Sequence, residues 1–228
     1  MLEPAESMTR DRRIPIFAND NFLRHLLFPP KKLLTKYISE GQTVADIGSG
    51  PGYFTIPMAQ IVGNEGKVYA ADFDRKSIET LNRKAEKQGY SNVIEARATS
   101  ASDLTFIPDS SVDFVLANGL LCCMSDHYGA VSEIQRILKK KTQGRAYLSV
   151  TKRFLRKSDP RTVGKEEWNQ LLSTIFETLR SGEGFMSRWA FVTVGAKNDT
   201  KNQNIAGKTA NQKPIVKVTS DCCAYSCW

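Results

Sequence analysis

The chemistry of this chain gathers around one glycine-spaced turn. Val44-Ala45-Asp46-Ile47-Gly48-Ser49-Gly50-Pro51-Gly52-Tyr53-Phe54 places glycine at every second position directly after an apolar run that carries one carboxylate. Lacking a Cβ, glycine lets the chain turn sharply and brings bare backbone against a ligand. A helix beginning there adds free N–H groups and the positive end of its dipole. The spacing therefore predicts a cofactor cradle. A dinucleotide site requires G-x-G-x-x-G; Gly48 and Gly50 fit, but Tyr53 takes the third place and Gly52 comes one residue early. That fingerprint fails. Beyond the next apolar run, Val68–Ala71, stands Asp72, where a carboxylate can accept hydrogen bonds from both hydroxyls of a ribose. The competing use, capping the following helix, falls to Asp74 and leaves Asp72 for a ligand. Groups able to carry a proton are few: His127 after Asp126, otherwise a polar residue in a capping turn; His25 in an N-terminal helical stretch; and Tyr53 beside the turn. Cys122-Cys123 can act as thiols or, as buried cysteine commonly does, simply pack.

The elements that must hold these residues alternate. Apolar residues at helical spacing run from Asn19 to Ile38, split by Pro29-Pro30 into two short helices. Thr43–Ile47 reads as a buried strand, and a helix is expected over 53–62. There follow strand 67–71, helix 75–88 with Gly89 as its C-cap, strand 92–96, strand 112–117, helix 128–140 and strand 145–150. Strands separated by helices predict a parallel sheet with helices on both faces. From 151 the pattern changes: a helix over 166–174, then two β-rich runs, 176–180 and 188–194, joined by Ser181-Gly182-Glu183-Gly184 as an antiparallel hairpin at the sheet edge. Residues 1–18 are expected to be loosely ordered, 19–195 to form one domain, and the polar stretch 196–228 to lie outside the core as a disordered tail.

Asp46-x-Gly48-x-Gly50-x-Gly52 resembles the first motif of the class I S-adenosylmethionine-dependent methyltransferases, especially the small-molecule group that includes the ubiquinone/menaquinone methyltransferases. The resemblance covers roughly residues 40–150. It implies a Rossmann-like three-layer α/β/α sandwich, mostly parallel, with S-adenosyl-L-methionine as cofactor and S-adenosyl-L-homocysteine as product. It also implies that Asp46 lies beneath the methionine portion near its ammonium, that Gly48, Ser49 and Gly50 border that portion, that Asp72 grips the ribose and that Phe73 faces adenine. The stretch Arg97–Phe106 resembles the segment that meets the adenine amine; Ser100, followed by Ala101, stands where the family has Asp. Ser111–Gly119 resembles the family's fourth motif, with Asn118 ending the strand above the sulfonium. The Asp/Asn-Pro-Pro-Tyr of amino-methylating nucleic-acid enzymes is replaced by Asn118-Gly119-Leu120-Leu121, and the Pro-Cys pair used against cytosine is absent. The family's Pro-Gly turn before its closing strand is replaced by Lys140-Lys141-Thr142-Gln143.

Composition narrows the rest. The chain has 228 residues, 41% hydrophobic and 25% charged, the make-up of a water-soluble globular protein. No apolar run reaches the roughly 18 residues of a membrane span, and the acidic, polar first residues carry no secretory signal, so a cytoplasmic location is expected. The net charge of +8 resides in the flanks, because residues 41–150 balance. Lys152-Arg153-Phe154-Leu155-Arg156-Lys157 is the one basic cluster, and it reads as a solvated loop, so a nucleic-acid partner is not expected. Five cysteines, with no C-x-x-C pair, argue against both a disulfide framework and a structural zinc. The reading is methyl transfer to a small molecule. A protein or RNA methyltransferase docking through basic flanks, or a silent cofactor-binding regulator, are the alternatives.

Overall fold

Val44–Ile47, Phe114–Ala117 and Ala146–Val150 are near-continuous apolar runs, the pattern of strands covered on both faces. In the computed structural model, which describes residues 30–140, 143–152, 161–185 and 187–194, they form the centre of a seven-stranded sheet. The readings made for 1–29, for most of the basic cluster and for the tail 196–228 fall outside the described residues. In chain order the elements are α1 (Pro30–Leu34), β1 (Thr43–Ile47), α2 (Thr55–Val62), β2 (Lys67–Asp72), α3 (Arg75–Lys87), β3 (Ile94–Ala98) and β4 (Phe114–Asn118). A single 3₁₀ turn (Leu121–Cys123) leads into α4 (His127–Ile137), β5 (Arg145–Thr151), α5 (Lys165–Ile175), β6 (Glu177–Glu183) and β7 (Ser187–Thr193).

The sheet order is β3-β2-β1-β4-β5-β7-β6. The first five strands are parallel, and β7 pairs antiparallel with both β5 and β6. The expected three-layer α/β sandwich with an antiparallel hairpin at its edge is what the chain adopts. Side chains alternate between two cores. Ala45, Ile47, Val115, Ala117, Ala146 and Leu148 face α4 and α5. Val44, Phe114, Leu116 and Tyr147 face α1, α2 and α3. Strand order reverses between β1 and β4, and ligands of open α/β sheets bind outside the carboxyl ends of the strands at such a point.

Several boundaries differ from the sequence pattern for local reasons. Helix α2 starts at Thr55 rather than 53, because residues 51–54 are held in a turn in which Gly52 N–H donates to Ser49 O. Strand β3 begins at Ile94 instead of 92, since the N–H groups of Val93 and Ile94 both return to Tyr90 O. Helix α4 ends at Ile137, not 140. Leu138 leaves it to bridge Val112, which is itself thereby held outside β4. The hairpin turn falls after Glu183, because β6 continues through Ser181 and Gly182 to pair with Ala190 and Trp189. Between Thr178 and Arg180 the pairing register shifts, so that Leu179 is an extra, half-exposed residue.

Candidate active site

The loop after β1 is shaped by its neighbours as much as by its glycines. Gly48 and Gly52 adopt φ of 83° and 95°, a region disfavoured for residues with a Cβ. A Cβ on Gly48 would stand 3.1 Å from Leu120 Cδ1, and one on Gly52 would stand 2.6 Å from Leu81 Cδ1. Gly48 thus admits the segment after β4, and Gly52 lets the loop seat on α3. Lys84 of α3 adds a hydrogen bond from Nζ to Pro51 O at 2.8 Å.

The free N–H groups expected from the sequence belong to the helix that follows; the loop's own N–H groups are spent internally. Gly48 and Ser49 N–H both donate to Ala71 O, at 2.8 and 3.0 Å, and Gly52 N–H donates to Ser49 O. Gly50 N–H donates to Asp72 Oδ2 at 2.8 Å, and Asp72 Oδ1 accepts from Asp74 N–H at 2.9 Å. Pro51 has no N–H to give. A pyrophosphate would find little to bind here, in agreement with the failed dinucleotide spacing.

These elements border a cleft whose empty space, open solvent at its mouth included, is about 950 Å³. Of the residues singled out from sequence, Asp46, Gly48, Ser49, Gly50, Tyr53, Asp72, Phe73, Ala101 and Asn118 line it together. Gly52 lies behind the loop against Leu81 and is not in the lining. Ser100 is also outside the lining, its Oγ 2.9 Å from that of Ser102. His127 does not reach the cleft: it is buried, with Nδ1 at 2.6 Å from Glu167 and Nε2 at 2.9 Å from Met124 O. His25 lies outside the described residues.

Sequence reasoning missed much of the opposite wall. Gly119, Leu120, Cys123 and Met124 form it, and Thr99 and Ser77 border the other end. Asp74, read as a helix cap, does occupy that place with Ser77 Oγ donating to it at 2.9 Å, and it lines the cleft as well. Behind the wall, buried Ser149 of β5 donates its hydroxyl proton to Asn118 Oδ1 at 2.8 Å and accepts Gly119 N–H at 2.9 Å.

The electrostatics of the cleft are one-sided. Three carboxylates line it, and none of the described lining residues is Lys, Arg or His. Asp46 is buried beneath the loop with Thr55 Oγ1 donating to it at 2.6 Å. Burial pushes its carboxyl up to about 7, against the opposing hydrogen bond from Thr55 and helped by the charge of Asp72. Asp72 is raised too, chiefly by burial, with the N–H groups of Asp74 and Gly50 opposing. A site that strains its own carboxylates toward the neutral form is built for a ligand that brings positive charge.

Residues 45–145 match the family model described as a methyltransferase domain. The demethylmenaquinone methyltransferase of Geobacillus stearothermophilus is 30% identical over 119 residues, covering 52% of this chain and 50% of its own length. The chain spans about half the length of the demethylmenaquinone methyltransferases that it matches. Among solved structures, a SAM-dependent methyltransferase from Aquifex aeolicus superposes with a TM-score of 0.63 at 22% identity, over 86% of this chain and all of that one. The [4+2]-cyclase SpnF superposes with a TM-score of 0.57 at 22% identity, over 67% of this chain and 58% of its own. These likenesses establish the fold, and the cyclase is a reminder that chemistry must be argued from the site.

Proposed function

We propose that this chain, whose residues 45–145 match a methyltransferase domain, is a class I S-adenosylmethionine-dependent methyltransferase that passes the sulfonium methyl to an uncharged small molecule bearing an oxygen, nitrogen or carbon nucleophile. The observation that carries this reading is a cleft lined by Asp46, Asp72 and Asp74 with no Lys, Arg or His among the described lining residues. Such a cleft favours a sulfonium and an ammonium over a phosphorylated cofactor.

Each residue then has a part. Both oxygens of Asp72 already accept one backbone N–H; each retains a lone pair for one of the two ribose hydroxyls. Asp46, steadied by Thr55, receives the ammonium, whose charge offsets the cost of ionising a buried carboxyl. Phe73 offers a face to adenine, bordered by Thr99 and Ala101. Ser100 would reach the base only by giving up its bond to Ser102.

S-adenosylmethionine supplies the electrophilic methyl and its leaving group. The chain is left to align the acceptor and keep water out. An acceptor entering past Asn118 and Gly119 meets Leu120, Cys123 and Met124, an apolar wall suited to an uncharged molecule. Asn118 and Gly119 are held at the methyl's end of the cleft by Ser149. Tyr53, buried in the lining, is the candidate to take a proton from an acceptor that must lose one.

Calorimetry with S-adenosylhomocysteine tests the reading, with a Kd in the micromolar range expected, about −8 kcal/mol. Transfer of a labelled methyl from the donor to the small-molecule fraction of a cell extract completes the test. Label in protein or RNA would redirect the acceptor assignment to a macromolecule. A folded chain that binds neither donor nor product overturns the proposal.

A further inference from the structure

Met124 belongs to the acceptor-side wall, and its backbone oxygen is held from behind by His127 Nε2 at 2.9 Å. The other ring nitrogen, Nδ1, lies 2.6 Å from Glu167 Oε1 on α5. The imidazole is 4% exposed, whereas the Glu167 side chain is 42% exposed. Both ring nitrogens are thus engaged, one by the Glu167 carboxyl and the other by the Met124 carbonyl. Capping of α4 does not account for this arrangement, because Asp126 already accepts Gly129 N–H at 2.9 Å there.

At its far end α4 is joined to the same helix again, by Gln135 Nε2 donating to Ile175 O at 2.6 Å. The two helices are thus tied at both ends, with the cleft-side tie running through one buried imidazole. We infer that His127 is a positioning residue: by joining the Met124 carbonyl to Glu167, it anchors the acceptor-side wall of the cleft to α5, a helix beyond the segment that matches the family model. Naming that wall the acceptor side rests on the proposed function; the tie itself does not.

The test uses the full chain and the thiol of Cys123, which lines the same wall. Its alkylation by iodoacetamide is followed by peptide mass, alongside calorimetry with S-adenosylhomocysteine. Glu167→Ala and His127→Ala are each expected to speed alkylation about tenfold, the scale of one lost charged hydrogen bond. The double variant should be no faster than either single one, since both cut one link. Glu167→Gln keeps an acceptor for Nδ1 and should hold the rate within about twofold of the parent chain. Cofactor-product affinity should be unchanged throughout, because Asp72 and Gly50 are untouched. Alkylation of Glu167→Ala at the parent rate overturns the inference, as does additivity in the double variant. If His127→Ala does not fold, the two Glu167 variants still decide. A parent chain that fails to bind S-adenosylhomocysteine sinks the proposed function while leaving the alkylation result readable.

Discussion

Asp72 at the end of β2 accepts a hydrogen bond from the backbone N–H of Gly50, 22 residues earlier, at 2.8 Å. The carboxylate that would hold the cofactor's sugar is therefore the same group that pins the loop beneath its amino-acid portion. Binding and loop shape share one side chain.

Asp72→Ala should accordingly weaken S-adenosylhomocysteine by about 1.5–3 kcal/mol, roughly ten- to a hundredfold in Kd, through loss of charge-assisted hydrogen bonds. Calorimetry at fixed salt measures it. An unchanged isotherm would remove Asp72 from the ribose.

Asp46 makes stability depend on pH in a defined direction. Its carboxyl, ordinarily near 3.8, stands at about 7 when folded. The folded chain thus holds the proton more firmly than the unfolded one, and this group's contribution to stability falls as pH rises through that window. The cost is complete above the folded value and absent below the unfolded one. Asp46→Asn keeps an acceptor for Thr55 and should raise the unfolding free energy of the ligand-free protein at pH 8, measured by urea titration, by at most roughly 4 kcal/mol. The gain should shrink toward zero as pH drops to 4. A gain that is equal at both pH values would show that ionisation is not its source.

Gly52→Ala should destabilise the fold for two independent reasons, a positive φ and a Cβ 2.6 Å from Leu81 Cδ1. A loss of about 1–3 kcal/mol is expected from thermal or urea unfolding. Adding Leu81→Ala removes the clash but not the backbone strain, so recovery should be incomplete even before the new cavity is counted.

Ser149→Ala removes the hydroxyl that joins Asn118 to Gly119. A cost of about 1 kcal/mol in stability is expected from the lost hydroxyl bonds, Gly119 N–H keeping Ser149 O as acceptor. Amide hydrogen exchange should show faster opening at Gly119, with β1 and β2 unaffected.

The glycine spacing, Asp46 and Asp72 were legible in the sequence because each sits at the end of an apolar run whose length and spacing are local properties. The same holds for the alternation that gave the parallel sheet. What could not be read are relationships set by packing. Thr55 pairs with Asp46 across nine positions, Ser149 with Asn118 across 31 and Glu167 with His127 across 40. The internal use of the loop's N–H groups could not be read for the same reason, since the acceptor of Gly48 and Ser49, Ala71 O, arrives from a neighbouring strand. His127 was read as a polar residue in a capping turn or a proton carrier, and neither reading could reveal its pairing with Glu167.

The extra residue at Leu179 bears on how this molecule coexists with copies of itself. A flat outermost ribbon with unused peptide groups is a template on which an identical chain could stack. By slipping the register midway, the bulge twists that ribbon and misaligns its outward-facing peptides, so a visiting strand could match only one half of it at a time. A register slip of this kind is one of the devices by which an edge strand discourages pairing with a second copy.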